Sequence, residues 1–239
     1  MLTDSEKPFR FKQFDVYHSR SAMKVGTDAV LLAAWARVEN AAHILDVGTG
    51  TGLIAIMCAQ RNASALIDAI EIDEGGAQDA RENFLRCPWH ARLKLHEGDY
   101  LKIVSEKKFD LIISNPPYFS QSLRASNPSR NAARHDDSLP MEAFLKQTKR
   151  LLQPHGVVAL VLPIGAFERW TEAAAQVGMH IVRVCHVFTS AQKQATRVLL
   201  ELECNENEEP EIQSLLIQDR NGEKSESYKE LTRAFYTKW

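Results

Sequence analysis

The segment Ile44-Leu45-Asp46-Val47-Gly48-Thr49-Gly50-Thr51-Gly52 runs from an apolar strand ending in an acid into three glycines at alternate positions, and helical spacing begins at once. Glycines there permit a tight turn and let a ligand approach the backbone, while the N–H groups that open the next helix have no partner in their own helix. A nucleotide-like ligand is implied. The dinucleotide fingerprint G-x-G-x-x-G would need a third glycine at position 53, which is Leu53, and here the third glycine is Gly52. Glu71 closes the next predicted strand 19 residues after Gly52, where a carboxylate can accept hydrogen bonds from both hydroxyls of a ribose. Asp99, in Glu-Gly-Asp-Tyr after the third strand, is placed to accept from the amino group of an adenine.

Around this unit, short β-branched runs alternate with stretches of helical spacing, the rhythm of a parallel sheet wrapped by helices. Strands are predicted near 43–47, 67–72, 93–97, 109–114, 157–162, 180–187 and 196–203, and helices over 52–61, 75–86, 141–152 and 166–177. Thr27 is expected to N-cap a further helix through Val38. No helix separates the last two strands, so they should pair antiparallel at the sheet edge. The expected class is α/β, a seven-stranded Rossmann-like sheet with an antiparallel last strand. After Cys204 an acidic run breaks the pattern, and the strand, turn and short helix beyond it read as a small C-terminal cap. With 239 residues the chain suits one domain. It divides into a covering segment 1–42, the main domain 43–204 and an extension 205–239.

Charge and cysteine usage narrow the function. Twenty-nine Lys+Arg against 31 Asp+Glu give a net charge of −2, so no global field draws the protein to nucleic acid or membrane, and any polyanion contact is local. Cys58, Cys87, Cys185 and Cys204 show no C-x-x-C spacing, as expected of reduced thiols in a cytoplasmic protein. His18, Cys87 and His135 lack a second ligand at metal spacing, so no metal is expected. The apolar stretch from Gly156 to Phe167 is interrupted by Pro163 and Gly165, so no membrane span is expected.

Asn115-Pro116-Pro117-Tyr118 comes directly after the apolar strand ending at Ser114, beside the crevice that the glycine turn opens. The motif suits a nitrogen whose lone pair is delocalised into a ring or carbonyl. The Asn115 side-chain oxygen and the Pro116 carbonyl can both accept from such an NH2 group and draw its hydrogens out of the conjugated plane. The prolines hold those acceptors in extended geometry before substrate arrives. Tyr118 offers a face on which a base can stack. No general base is evident, so orientation is expected to supply most of the rate.

The glycine turn with Glu71 and Asp99 resembles the class I methyltransferases that use S-adenosylmethionine, from about Phe11 to Glu203. That likeness implies that Asp46, Gly48, Thr49, Gly50 and Gly52 wrap the methionine part and that Glu71 holds the ribose. The Asn-Pro-Pro-Tyr motif resembles that of N6-adenine, N2-guanine and glutamine N5 methyltransferases, making Asn115, Pro116, Pro117 and Tyr118 the catalytic set. Glutamine methyltransferases carry a helical substrate domain ahead of the cofactor domain, and only 43 residues precede Ile44. Those residues instead mix Lys7, Arg10, Lys12, Arg20 and Lys24 with Phe9, Phe11, Phe14 and Tyr17, the way single-stranded nucleic acid is commonly held. Arg124, Arg130 and Arg134 come after the catalytic motif without an acid among them. Lys12, Arg20, Lys24 and these three arginines are the candidate RNA contacts. Trp35 is expected to pack in the core.

Four stretches, FKQF at 11–14, AMKVGTDAVLLAAW at 22–35, DLIISNPPY at 110–118 and YKELTRAFY at 228–236, together resemble the bacterial tRNA1(Val) adenine-37 N6-methyltransferase family. The resemblance implies a tRNA substrate and a Met23–Thr27 segment that returns to the cofactor site, placing Gly26 and Thr27 near the methionine end. A monomer is expected. Methylation of adenine or guanine in ribosomal RNA or DNA, or of glutamine in protein, is the alternative. A binder without turnover would not need paired acceptors beside the methyl group, and a nicotinamide oxidoreductase is opposed by Leu53.

Overall fold

The computed structural model describes residues 7–116, 141–205 and 209–238. In chain order the elements are β1 (Phe9–Arg10), β2 (Asp15–Val16), α1 (Thr27–Trp35), β3 (His43–Val47), α2 (Leu53–Arg61), β4 (Leu66–Glu71), α3 (Glu74–Arg86), β5 (Leu93–Glu97) and β6 (Phe109–Ser114). Then come α4 (Met141–Leu151), β7 (Leu152–Pro163), α5 (Phe167–Gln176), β8 (His180–Ser190), β9 (Ala195–Glu203), β10 (Glu211–Gln218) and α6 (Glu226–Thr232). Strands β3 to β10 form one sheet in the order β10-β8-β9-β7-β6-β3-β4-β5, and β1 and β2 form a separate ribbon. The apolar faces of α1, α2 and α3 cover one side of the sheet and those of α4 and α5 the other.

The expected α/β class and Rossmann-like order are observed, with eight strands in place of seven. The extra strand comes from the tail. β10 pairs parallel with β8, so the tail enters the sheet instead of only capping it, and β8 is not at the edge. β9 runs antiparallel to both β7 and β8, and Val198, Leu199, Leu200 and Leu202 are fully buried, which explains its central position. The first helix begins at Thr27 with Gly26 as N-cap and stops at Trp35, short of Val38. β7 starts at Leu152, five residues before the predicted start, because the chain pairs with Phe109 of β6 as soon as α4 ends.

The N-terminal aromatics pack on the C-terminal end of the chain. Phe11 and Phe14 are buried and stacked 4.7 Å apart, and Phe11 also stacks on Tyr236 at 5.8 Å. They are core residues and cannot serve as a platform for bases. Trp35 is buried as expected, with the Arg183 guanidinium 4.0 Å from its ring and its indole N–H donating to Gln213 at 2.8 Å.

Glu201 of β9 is fully buried and faces Arg37 at 3.3 Å and Arg183 at 3.6 Å, and it accepts the Arg37 backbone N–H at 2.9 Å. Burial raises its pKa, opposed by that N–H and by the two arginines. Removing one member of a buried ion pair leaves the other charge uncompensated, which costs about 3–5 kcal/mol. Glu201→Ala is therefore expected to lower unfolding stability by about 3 kcal/mol or more in urea, the Arg183 side chain being only 14% exposed. Stability equal to wild type would show that the pair contributes nothing net.

Candidate cofactor and substrate site

From β3 the chain steps to β4 and β5 on one side and to β6 and β7 on the other, so the strand order reverses between β3 and β6. A crevice opens at the carboxyl ends of the strands at such a point. Hydrogen bonds bind those ends together. Gly48 and Thr49 donate their N–H groups to the Ile70 carbonyl at 2.9 and 3.1 Å, and the Gly98 N–H donates to the Glu71 carbonyl at 2.8 Å. The Ser114 hydroxyl donates to the Val47 carbonyl at 2.7 Å. Asp46, the glycine turn, Glu71 and Asn115-Pro116 therefore share one ledge, as the sequence spacing required.

The turn owes its shape to glycine. Gly48, Gly50 and Gly52 have φ of 69°, 55° and 82°, a region that side chains disfavour. A Cβ on Gly52 would lie 2.5 Å from the Phe84 ring of α3, whereas beyond its chain neighbours no described atom comes within 4 Å of the corresponding point on Gly48. One side of the turn is packed on α3, and the other has room.

Asp46 is fully buried beneath the turn. Its Oδ2 accepts from the Thr49 hydroxyl at 2.5 Å and from the Ala55 N–H at 3.1 Å, and its Oδ1 has no hydrogen-bond partner. Burial pushes its pKa up to about 7, against the lowering effect of the two hydrogen bonds and with Glu71 adding to the rise. Glu71 accepts the Gly50 N–H on Oε2 at 2.7 Å and the Ile72 and Asp73 N–H groups on Oε1 at 2.9 and 2.8 Å. A carboxylate has about four acceptor positions, so Oε2 retains one and the backbone holds three. The expectation that Glu71 takes both ribose hydroxyls fits only if the Gly50 N–H gives way.

The other anticipated residues divide. Gly26 and Thr27 lie exposed at the start of α1. Asp99 accepts the Leu101 N–H at 2.9 Å and faces Lys102 at 3.4 Å, capping a short 3-10 turn. It also lines a cavity of about 710 Å³ between β4, β5 and the segment before β6, which holds the Asp68, His96 and Lys107 cluster. Lys12 donates to the Arg233 carbonyl at 2.5 Å, and Arg20 pairs with Asp79 and Glu82, while Lys24 is exposed. Pro117, Tyr118, Arg124, Arg130, Arg134 and His135 lie outside the described residues. Among the described residues no group of three His, Cys, Asp or Glu side chains is placed to hold a metal, and no helix is long and apolar enough to cross a membrane.

Sequence reasoning missed Asp79 and Asn83 of α3, both fully buried. Asp79 Oδ2 accepts the Arg20 and Ser21 N–H groups at 2.9 and 2.8 Å. The Asn83 amide accepts the Tyr17 N–H at 2.9 Å and donates to the Tyr17 and Thr51 carbonyls, both at 2.8 Å. The available signal was two polar residues four apart, interleaved with the apolar Ala77, Ala80 and Phe84 of the same helix.

The match to known proteins extends over nearly all of this architecture. A protein of Bacteroides thetaiotaomicron named tRNA1(Val) (adenine(37)-N6)-methyltransferase is 45% identical over 229 residues, covering 95% of this chain and 96% of its own. One of the same name from Aeromonas hydrophila is 44% identical over 233 residues, covering 96% and 97%. The chain belongs to that methyltransferase family. Residues 10–165 also match the methyltransferase small domain family. At the level of fold, a glycopeptide N-methyltransferase complexed with S-adenosyl-L-methionine superposes with a TM-score of 0.58 at 12% identity, over 78% of this chain and 91% of its own. A protein of Agrobacterium tumefaciens described as a predicted O-methyltransferase gives 0.67 at 17%, over 87% and 96%.

Asp46 makes stability pH-dependent. The folded-state pKa of about 7 lies above the ordinary 3.8, so between those values the native chain holds a proton that the unfolded chain has released. Its contribution therefore falls as pH rises from about 4 to 7 and is level above that. Asp46→Asn is expected to remove this slope, and urea unfolding at pH 5 and pH 8 measures it. A slope equal to wild type would mean that Asp46 is already ionised at pH 5.

Proposed function

We propose that this chain transfers a methyl group from S-adenosylmethionine to the exocyclic N6 of adenine-37 in tRNA1(Val). The observation that carries the reading is 45% identity over 95% of the chain with a relative of that name. The ledge supports the choice of cofactor. Asp46 Oδ1 is a buried acceptor in need of a donor, Glu71 Oε2 has acceptor capacity left, and Gly48 leaves open space against the turn. These suit a ligand bearing an ammonium group and a ribose.

In this reading Asp46 and the turn from Gly48 to Gly52 hold the methionine part, with Gly26 and Thr27 at its outer end. Glu71 holds the ribose and Asp99 the adenine amino group. S-adenosylmethionine, when bound, supplies a methyl group made electrophilic by its sulfonium. The chain's own task is to orient the incoming amine. The Asn115 side-chain oxygen and the Pro116 carbonyl accept its two hydrogens, which turns the nitrogen lone pair out of conjugation with the ring. Pro116 and Pro117 fix those acceptors, and Tyr118 stacks on the base, an effect worth about 1–3 kcal/mol. As the N–C bond forms, the methyl group would part from the sulfonium sulfur, which becomes a neutral thioether, and the surplus proton of the amine would pass to water.

An adenine in a structured loop must leave its stack to reach Asn115. Lys24, Arg124, Arg130 and Arg134 are the cations this reading assigns to the phosphates, with the segment before residue 43 as a cover on the site. The protein works as a monomer in the cytoplasm, where its substrate is.

Tritiated S-adenosylmethionine should label bulk tRNA from a strain lacking the enzyme, and nucleoside analysis should return N6-methyladenosine. Methylated guanine or methylated glutamine as the product would overturn the assignment. Asn115→Ala is expected to slow single-turnover transfer by more than about tenfold at saturating cofactor and RNA, since the amine loses an acceptor and its orientation. S-adenosylmethionine affinity should change far less. A transfer rate near wild type would remove Asn115 from the catalytic set.

A further inference from the structure

Gly75, Asp79 and Asn83 recur at every fourth position of α3 and so form one stripe along the helix. All three meet the segment Tyr17–Ser21. At the lower end of the stripe Asn83 holds both backbone groups of Tyr17, and in the middle Asp79 takes the Arg20 and Ser21 N–H groups. At the upper end the Arg20 carbonyl lies 2.6 Å from where a Cβ on Gly75 would be, so this approach exists only because residue 75 is glycine. The stripe also reaches the ledge. The second hydrogen bond of the Asn83 amino group goes to the Thr51 carbonyl inside the glycine turn, and the Ser21 hydroxyl lies 3.8 Å from the Cβ position of Gly50.

We propose that this stripe is a clamp that holds residues 17–21 as a strap against the glycine turn, and that the clamped strap sets the affinity for S-adenosylmethionine. The inference rests on the reading of that turn as the cofactor site. Gly75, Asp79 and Asn83 act through the strap and are positioning residues. An acceptor that satisfies two consecutive N–H groups fixes the backbone direction of Arg20-Ser21, and it does so from a fully buried position where water cannot substitute. Without it those N–H groups would have to find partners elsewhere, and the strap would move off the turn.

Two substitutions test the clamp through different physics. Asp79→Ala removes the acceptor. Gly75→Ala keeps every hydrogen-bonding group and improves helix propensity, but it drives a methyl group into the Arg20 carbonyl. Both are expected to raise the dissociation constant for S-adenosylmethionine in calorimetry by about tenfold or more and to speed amide exchange over residues 18–22. Leu85→Ala, at an exposed position of the same helix, should change neither. If Asp79→Ala does not fold, Gly75→Ala decides alone. Faster exchange with wild-type affinity, or unchanged exchange, overturns the clamp. A wild-type protein that fails to bind S-adenosylmethionine overturns the cofactor reading instead, so the two failures are distinguishable.

Discussion

The hydrogen bonds from the Thr49 hydroxyl and the Ala55 N–H to the buried Asp46 carboxyl join the end of β3, the glycine turn and the first turn of α2. A carboxyl in that position is expensive to ionise, and its pKa of about 7 reflects the burial. One oxygen shapes the turn, and the other is buried without a hydrogen-bond partner. The carbonyl of Ile70 and the carboxylate of Glu71 then fix the same turn from the side of β4. The site is thus backbone held by acids, and the glycines matter because they let that backbone curve and be approached.

Much of this was legible in the sequence because it is local. A strand ending in an acid, three alternating glycines and a second acid one β-α-β unit later are all readable as spacing, and the structure brings them to neighbouring strand ends. Asn115 needed only the strand before it. Errors arose where a residue's role depends on distant partners. Phe9, Phe11 and Phe14 next to lysines and arginines resemble a nucleic-acid surface, but Phe9 and Phe11 meet Tyr236, more than 220 residues away, and Phe14 meets Trp89. Arg20 similarly meets Asp79 and Glu82 of α3. Asp79 and Asn83 went unnoticed because a polar residue on a buried stripe looks like an imperfection until the backbone it binds is known.

The strand, turn and short helix of the tail are local and legible, whereas the entry of that strand into the sheet depends on a distant partner. The acidic opening of the tail breaks the strand–helix rhythm and reads as the start of a cap, yet β10 pairs with β8 over its length, and Glu211 faces Arg37 and Arg183. The same two arginines meet Glu201, so the pairing of β8, β9 and β10 is pinned by a charge cluster whose centre, Glu201 and Arg183, is buried and whose rim, Arg37 and Glu211, is exposed, together with the apolar contacts. Such a cluster favours one register over a slip by one residue, which would place the acid on the wrong face of the sheet.

Phe11 pairs with Tyr236, and Lys12 bonds the Arg233 carbonyl, so the ribbon formed by β1 and β2 docks on the C-terminal end of α6 and the residues just beyond that helix. Phe11 and Tyr236 lie 225 positions apart in sequence, and at about 5–20 residues per second roughly 10–45 seconds separate their synthesis. Throughout that time the sheet from β3 to β6 can assemble and Trp89 is there to meet Phe14, while Phe9 and Phe11 still lack the Tyr236 ring. A chain truncated before residue 233 never gains that contact and leaves the Phe9 and Phe11 rings without it permanently.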